Sequence, residues 1–225
     1  LVIRNVCLSV DSPRYTKPEM KTPTPEQVTA LLAESEGDRL QALIVLAVTT
    51  GLRQGELFRL QWGDINLQAG TLAVRRTQIE IGGTVLCGSP KSKSGIRSVK
   101  LPAVAVEALT AHRALMMREG FAGVSLVFCD TQGGPLRRSN FLRNYFKPLR
   151  RRAGVPAVRF HDLRHTSATL MLADDLHPKV VQQRLGHSQI SLTLDTYSHV
   201  LPTMDEAAAD EAAAETFDRL LKQKA

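Results

Sequence analysis

The chain has little of what would mark a membrane-spanning, secreted or metal-binding protein. No apolar run approaches the ~20 residues that a membrane-crossing helix needs; Ala42 to Val48 is the nearest candidate and is far shorter. No secretory signal precedes the first charged residues. The 3 cysteines, Cys7, Cys87 and Cys129, are odd in number, widely spaced and in no CxxC arrangement. That argues against a disulfide framework and a cysteine-based zinc site, and fits a reducing compartment, the cytoplasm. An initiator Met is also missing: the chain opens at LVIRNVC, as an excised fragment would.

What the chain has in excess is positive charge. Its 225 residues, ample for a hydrophobic core, carry a net +7 with a pI near 9.6, which favours a polyanionic partner. The excess is uneven. From Asp205 onward six acids face three bases, a net of −3, so residues 1–204 carry +7 − (−3) = +10. Between Arg137 and Arg164 there are nine Lys/Arg and one acid, Asp162. A stretch of this kind suits the phosphate backbone of a nucleic acid.

Residues 1–23 are polar and hold Pro13, Pro18 and Pro23, which reads as a linker. Thr24-Pro25-Glu26-Gln27 is a capping box with Pro at the first helical position, predicting a helix to about Glu34. A nearly all-apolar helix should follow from about Arg39 to Thr50 and stop at Gly51. Arg53 then opens a short helix, with Glu56 one turn away as an orienting partner or a surface pair. Ile65 to Leu67, Thr71 to Ile79, Thr84 to Leu86 and Ile96 to Leu101 predict a small antiparallel sheet, broken at Gly70 and Gly82-Gly83. Pro102 should start an amphipathic helix to about Glu119. Leu126 to Cys129 reads as a short strand. A helix capped by Ser139-Asn140 should turn Phe141, Leu142, Tyr145, Phe146 and Leu149 inward, kinked at Pro148. The tail from Asp205 to Ala225 reads as an Ala-rich helix with Phe217, Leu220 and Leu221 on one face.

The chemistry concentrates in RFHDLRHTSATLMLADDLHPKVVQQRLGHSQISLTLDTYSHV, Arg159 to Val200. His161 and Arg164 are three apart and share one helix face. A second apolar run ends at Gly186, which presents His187, and Tyr197 lies ten residues on. Imidazoles, a guanidinium and a phenol in one neighbourhood suit phosphoryl transfer: a cation for phosphate oxygens, proton-transfer groups and an oxygen nucleophile. His161 and His165 also have the i, i+4 spacing of a metal pair. Against that, Asp162 stands where such sites carry Glu, and the Arg164 cation between the ligands would repel a metal ion.

HDLRHTSATL followed by LGHSQISLTLDTYSH resembles the catalytic half of the tyrosine recombinase (phage-integrase) family, and TGLRQGEL at Thr50 to Leu57 supplies that family's earlier arginine motif. PKSKSGIRSVKL keeps the outline of its lysine hairpin, with Lys100 where Pro is usual. The resemblance covers roughly residues 24–202. It implies an α+β, mainly helical fold, an integrase-type catalytic domain with a small antiparallel β-sheet. It also implies a linker remnant at residues 1–23 to an N-terminal core-binding domain, and a helical tail at 203–225 that docks on its own domain or on a neighbour. The implied reaction is site-specific DNA strand exchange through a 3′-phosphotyrosyl intermediate, without metal, ATP or other cofactor. Tyr197 would be the nucleophile, Arg53 and Arg164 the phosphate ligands, His161 the acid or base, and His187 a hydrogen-bond donor. Lys91, or alternatively Lys93, would protonate the leaving oxygen. Lys93, Arg97, Arg137, Arg138, Arg143, Arg150, Arg151 and Arg152 are candidate DNA-backbone contacts. The expected partners are double-stranded DNA, further copies of the chain in a tetramer on it, and accessory directionality or DNA-bending proteins, with no membrane. A type IB topoisomerase and a non-catalytic DNA-binding module are the alternatives. Asp174-Asp175 replaces the Ala-Gly helix end common in the family.

Overall fold

The computed structural model describes residues 22–90, 93–155 and 157–197. The linker up to residue 21, Lys91 and the C-terminal tail lie outside them. Helix α1, Pro25–Glu34, begins at the expected capping box: Thr24 Oγ1 accepts from the Gln27 amide at 3.3 Å, and Gln27 Oε1 accepts from the Thr24 amide at 3.1 Å. Helix α2, Gln41–Thr50, is the scaffold of the molecule. Every residue from Ala42 to Val48 is buried, and each large aliphatic side chain so buried contributes ~1.5–3 kcal/mol. It packs against α4 (Ala103–Arg118) and α7 (Asp162–Ala173), which leaves the short α3, Gln54–Phe58, at its C-terminal end.

The sheet divides in two. Strands β1 (Ile65–Asn66), β2 (Thr71–Val74) and β5 (Arg97–Lys100) form an antiparallel sheet in the order β1-β2-β5, with Val74 opposite Arg97. Strands β3 (Thr77–Ile81) and β4 (Thr84–Gly88) form a separate hairpin. The single strand expected from Thr71 to Ile79 is thus broken at Arg75-Arg76. The cause is tertiary: Arg76 reaches back to buried Asp64 at 2.7 Å, and Arg75 to the same carboxylate at 3.6 Å. The strand expected at Leu126 to Cys129 is reduced to isolated bridges, Gln61 with Leu126 and Cys129 with Pro135, although Val127, Phe128 and Cys129 are fully buried.

The basic helix also departs from expectation. It starts at Arg138 rather than after a Ser139-Asn140 cap, and runs as α5 (Arg138–Phe141), a π-helical turn (Leu142–Phe146) and α6 (Lys147–Arg152). Pro148 has no N–H to give the Asn144 carbonyl one turn back, and the wider π turn absorbs that loss just before it. Helices α8 (Pro178–Leu185) and α9 (Ser191–Tyr197) follow α7. Asp175, after α7, takes φ 55°, a left-handed conformation that glycine adopts more easily than other residues. One large core joins α1–α6 to the start of α7. A small second cluster holds Ala168, Leu172, Val181, Leu185 and Tyr197.

Candidate active site

The site is assembled on the C-terminal end of α8. The last carbonyls of a helix have no partners within it and carry the negative end of its dipole, so cations are favoured there. Here three consecutive carbonyls each accept from a different arginine. Arg184 O accepts from Arg97 Nε at 2.7 Å, Leu185 O from Arg164 Nη2 at 2.8 Å, and Gly186 O from Arg53 Nη2 at 3.3 Å. These guanidiniums come from β5, α7 and the N-cap of α3, so one helix end gathers residues spread over more than a hundred positions.

Two glycines make this possible. Gly51 ends α2 with φ 63°, and its carbonyl accepts from Arg164 Nη1 at 2.6 Å. Gly186 ends α8 with φ 69°. A Cβ on Gly51 would stand 2.6 Å from Leu185 Cδ2, and one on Gly186 would stand 2.8 Å from Arg97 Nη1 and 2.9 Å from Ser94 O. Either side chain would combine a disfavoured φ with a clash.

Glu56 is the counter-ion of the cluster and is buried. Its Oε1 accepts from Arg53 Nη1 at 3.0 Å and Arg97 Nη1 at 3.1 Å; its Oε2 accepts from the Arg53 amide at 2.9 Å and Arg97 Nη2 at 3.0 Å. Burial alone would raise its pKa, but Arg97 and then Arg53 hold it below the ordinary carboxylate value. Glu56 is therefore the orienting partner of Arg53, not a surface pair. Arg164, 3% exposed, has its pKa drawn down by burial and then by the charge of Arg53; a guanidinium remains protonated at neutral pH.

The histidines divide between two partners. His187 Nδ1 lies 2.9 Å from Thr193 Oγ1, and burial followed by the charges of Arg164 and Arg53 lowers its pKa to about 4. His161, the N-cap of α7, has its pKa lowered by burial and then by Arg164. Its ring meets that of His165 edge to face at 4.9 Å. The phenol of Tyr197, only 1% exposed, bonds neither His161 nor His187: its oxygen lies 2.8 Å from His165 Nδ1. Burial raises the phenol to about 12 and, with His161 next in effect, lowers His165 to about 4. His165 is the residue that sequence reasoning passed over. Its i, i+4 spacing from His161 was weighed only as a metal pair, yet the same spacing places one imidazole on each successive turn, and α9 lies at the level of the second. Among the described residues no cluster of three or more His, Cys, Asp or Glu is arranged to hold a metal ion. Asp162 is instead bonded by Arg159, at 2.7 Å to Oδ1.

Beside His161 opens a groove of about 680 Å³ whose lining includes Arg138, Arg143, Lys147, Arg150 and Arg159. Three of the expected backbone contacts, Arg138, Arg143 and Arg150, are thus brought to one surface next to the site, and Arg151 is exposed on the same helix. Three of the others have partners within the fold. Arg97 is only 7% exposed and fully engaged inside, because its fork is needed by Glu56. Arg152 is bound by Glu34 at 2.6 Å and Asp38 at 3.2 Å, which ties α6 to α1. Arg137 donates to Gly83 O at 2.6 Å and braces the β3–β4 hairpin. Lys93 opens a short 3-10 turn, Lys93–Gly95, leading into β5.

The profile of the phage integrase family matches residues 21–204. The chain is 36% identical over 210 residues to a XerC-like tyrosine recombinase of Caldanaerobacter subterraneus, covering 85% of this chain and 54% of that protein. It is 30% identical over 172 residues to a putative prophage phiRv2 integrase of Mycobacterium tuberculosis (76% and 45%), and 27% over 218 residues to the ICEBs1 integrase of Bacillus subtilis (92% and 58%). The chain spans about half the length of these relatives. In fold it is similar to the Tn1549 transposon integrase in complex with a circular intermediate DNA, with a TM-score of 0.73 at 24% identity over 94% of this chain and 70% of that one. It is likewise similar to the XerA recombinase, with a TM-score of 0.67 at 24% identity over 92% and 67%.

Proposed function

The chain belongs to the phage integrase family, and on that premise we propose that it cuts and rejoins double-stranded DNA at specific sites as the integrase or recombinase of a mobile element. The observation that carries this reading is the convergence of Arg53 and Arg164 on the end of α8, beside His161 and His187 and next to a basic groove. A phosphodiester placed there meets two preset cations, the kind of pre-organised charge that stabilises a phosphorane-like transition state.

Tyr197 attacks the scissile phosphorus. Its O–P bond forms, the P–O5′ bond breaks, the phenolic proton passes to His161, and the freed 5′-oxygen takes up a proton from Lys91. The 5′-hydroxyl of a partner strand reverses the step, so the bond energy stays in the ester. Lys91, outside the described residues, supplies the proton to the 5′-oxygen. His161, whose pKa burial and then Arg164 hold below the ordinary imidazole value, accepts or donates near the phosphate. His187, with Thr193 on Nδ1, offers Nε2–H to a phosphate oxygen. His165 is a seat for the phenol rather than its base. Burial raises the phenol and lowers the imidazole, which disfavours proton transfer from Tyr197 to His165 in the resting site. On this reading Tyr197 leaves His165 to reach the phosphate. Strand exchange between two sites calls for four copies on DNA, with accessory bending or directionality proteins setting its outcome.

The test is covalent capture on nicked suicide duplexes. The chain should form an SDS-resistant adduct that Tyr197→Phe abolishes while binding DNA as before. An adduct with the Phe variant would put the nucleophile elsewhere.

A further inference from the structure

We propose that Arg97 is a positioning residue for strand cleavage: buried between the lysine loop, Glu56 and the end of α8, it sets where Arg53 and His187 stand. The inference rests on the strand-cleavage reading and adds to it a group that touches no substrate.

Arg97 makes four hydrogen bonds from one side chain. Nη1 and Nη2 take one oxygen each of Glu56, at 3.1 and 3.0 Å; Nη1 also reaches Gly95 O at 3.0 Å; Nε reaches Arg184 O at 2.7 Å. The fifth constraint is on its main chain, since Arg97 pairs with Val74 in the sheet. Three segments are pinned by this one side chain: α3 through Glu56, the turn before β5 through Gly95, and the C-terminal end of α8 through Arg184. Two of them carry groups of the site. Glu56 holds both the amide and the guanidinium of Arg53, and Arg184 stands three residues before His187.

Charge explains why the residue is needed. Glu56 is a buried carboxylate with four acceptor positions, and Arg97 fills two of them. Without Arg97, the Arg53 guanidinium, 42% exposed, is the one remaining cation on a buried anion. It would be drawn toward Glu56 and away from an incoming phosphate, since an unpaired buried charge is costly. A lysine keeps the charge but is a single point. It cannot bridge both carboxylate oxygens and two carbonyls at once.

The experiment compares the full chain with Arg97→Ala and Arg97→Lys in single-turnover cleavage of two suicide duplexes. One has an ordinary scissile phosphate; the other has a neutral methylphosphonate there, which leaves less charge for Arg53 to stabilise. Duplex affinity is measured across a salt series. On the ordinary duplex Arg97→Ala should cleave about 100-fold more slowly, the usual loss for one transition-state donor. Arg97→Lys should cleave nearly as slowly, and affinity should be unchanged. On the methylphosphonate duplex the defect should shrink to a few-fold. Equal losses on both duplexes would mean a general loosening of the fold and overturn the proposal. A weaker affinity with a shallower salt slope would make Arg97 a DNA contact and also overturn it. If Arg97→Ala does not fold, Arg97→Lys gives the same comparison. A wild-type chain that cleaves neither duplex would sink the strand-cleavage reading and this inference together, whereas wild-type cleavage with unaltered variants sinks only the inference.

Discussion

At the end of α8 the cations are held from several sides, whereas the phenol of Tyr197, a few residues on, is held by one hydrogen bond in a small satellite core. Arg164 bonds carbonyls of both α2 and α8, and Arg53 is fixed by Glu56 and Gly186. Turning Arg164 away would strand two carbonyls and a buried charge, a cost of several kcal/mol. Releasing Tyr197 breaks its bond to His165, worth ~1 kcal/mol, and exposes a ring worth ~2 kcal/mol of burial. The difference teaches a division of labour: the proposed phosphate receptor is built in advance, and the proposed nucleophile is stored where it can be let go at modest cost.

The largest expected effect lies on the receptor side. Arg164→Lys keeps the charge but cannot serve Gly51 O and Leu185 O together. Single-turnover cleavage should fall by about 10²–10³, with a lower unfolding temperature as two buried carbonyls lose their donor. A variant cleaving within a few-fold of wild type would show that these carbonyls do not pre-organise the site, and the contrast would collapse.

That contrast was only half legible in the sequence. Arg53, His161, Arg164, His187 and Tyr197 stand in motifs whose order and spacing mark them as one candidate site, and the capping box at Thr24 and the stop at Gly51 follow from local backbone preferences. What the sequence hides is set by tertiary partners. Arg97 looks like any loop-flanking cation until Glu56 is found beneath it. Arg75 and Arg76 read as strand residues, but Asp64 turns them. Helical periodicity places His161 and His165 on one face and cannot say which of them α9 will meet. Gly186 reads as a helix stop; that its carbonyl and its two predecessors collect three guanidiniums depends on α3, β5 and α7 arriving there.

A smaller effect separates the two regions by pH. His165 and His187 titrate near 4 in the folded chain and near 6.5 unfolded. A folded value below the unfolded one means that the unfolded chain takes up protons first. Their contribution is therefore complete above about pH 6.5 and is lost as pH falls toward 4. Thermal melts should show this loss between pH 6.5 and 4.5. Imidazole NMR then sharpens the comparison. A bound duplex brings phosphate charge to the cations that depress His187, so its pKa should rise by at least about one unit, while His165, on the tyrosine side, should move less. Equal shifts would mean that the two histidines sense one common site.

The smallest expected effect falls on the residue that joins the regions. Thr193 and Tyr197 lie one turn apart on α9; Thr193 Oγ1 meets His187, and the Tyr197 phenol meets His165. Thr193 is fully buried, so Thr193→Val keeps its volume and removes the one hydroxyl that orients His187 from behind. Losing a single neutral hydrogen bond of ~1 kcal/mol should slow cleavage about five- to ten-fold. Duplex affinity and its salt slope should stay as they are, because no phosphate contact is touched. The pH profile is the sharper readout: with Nδ1 unpartnered, His187 should titrate differently while His165 keeps its value. If Thr193→Val instead shifts His165 or exposes Tyr197 to solvent quenching, α9 responds as one rigid piece, and movement of the nucleophile must strain the phosphate receptor as well.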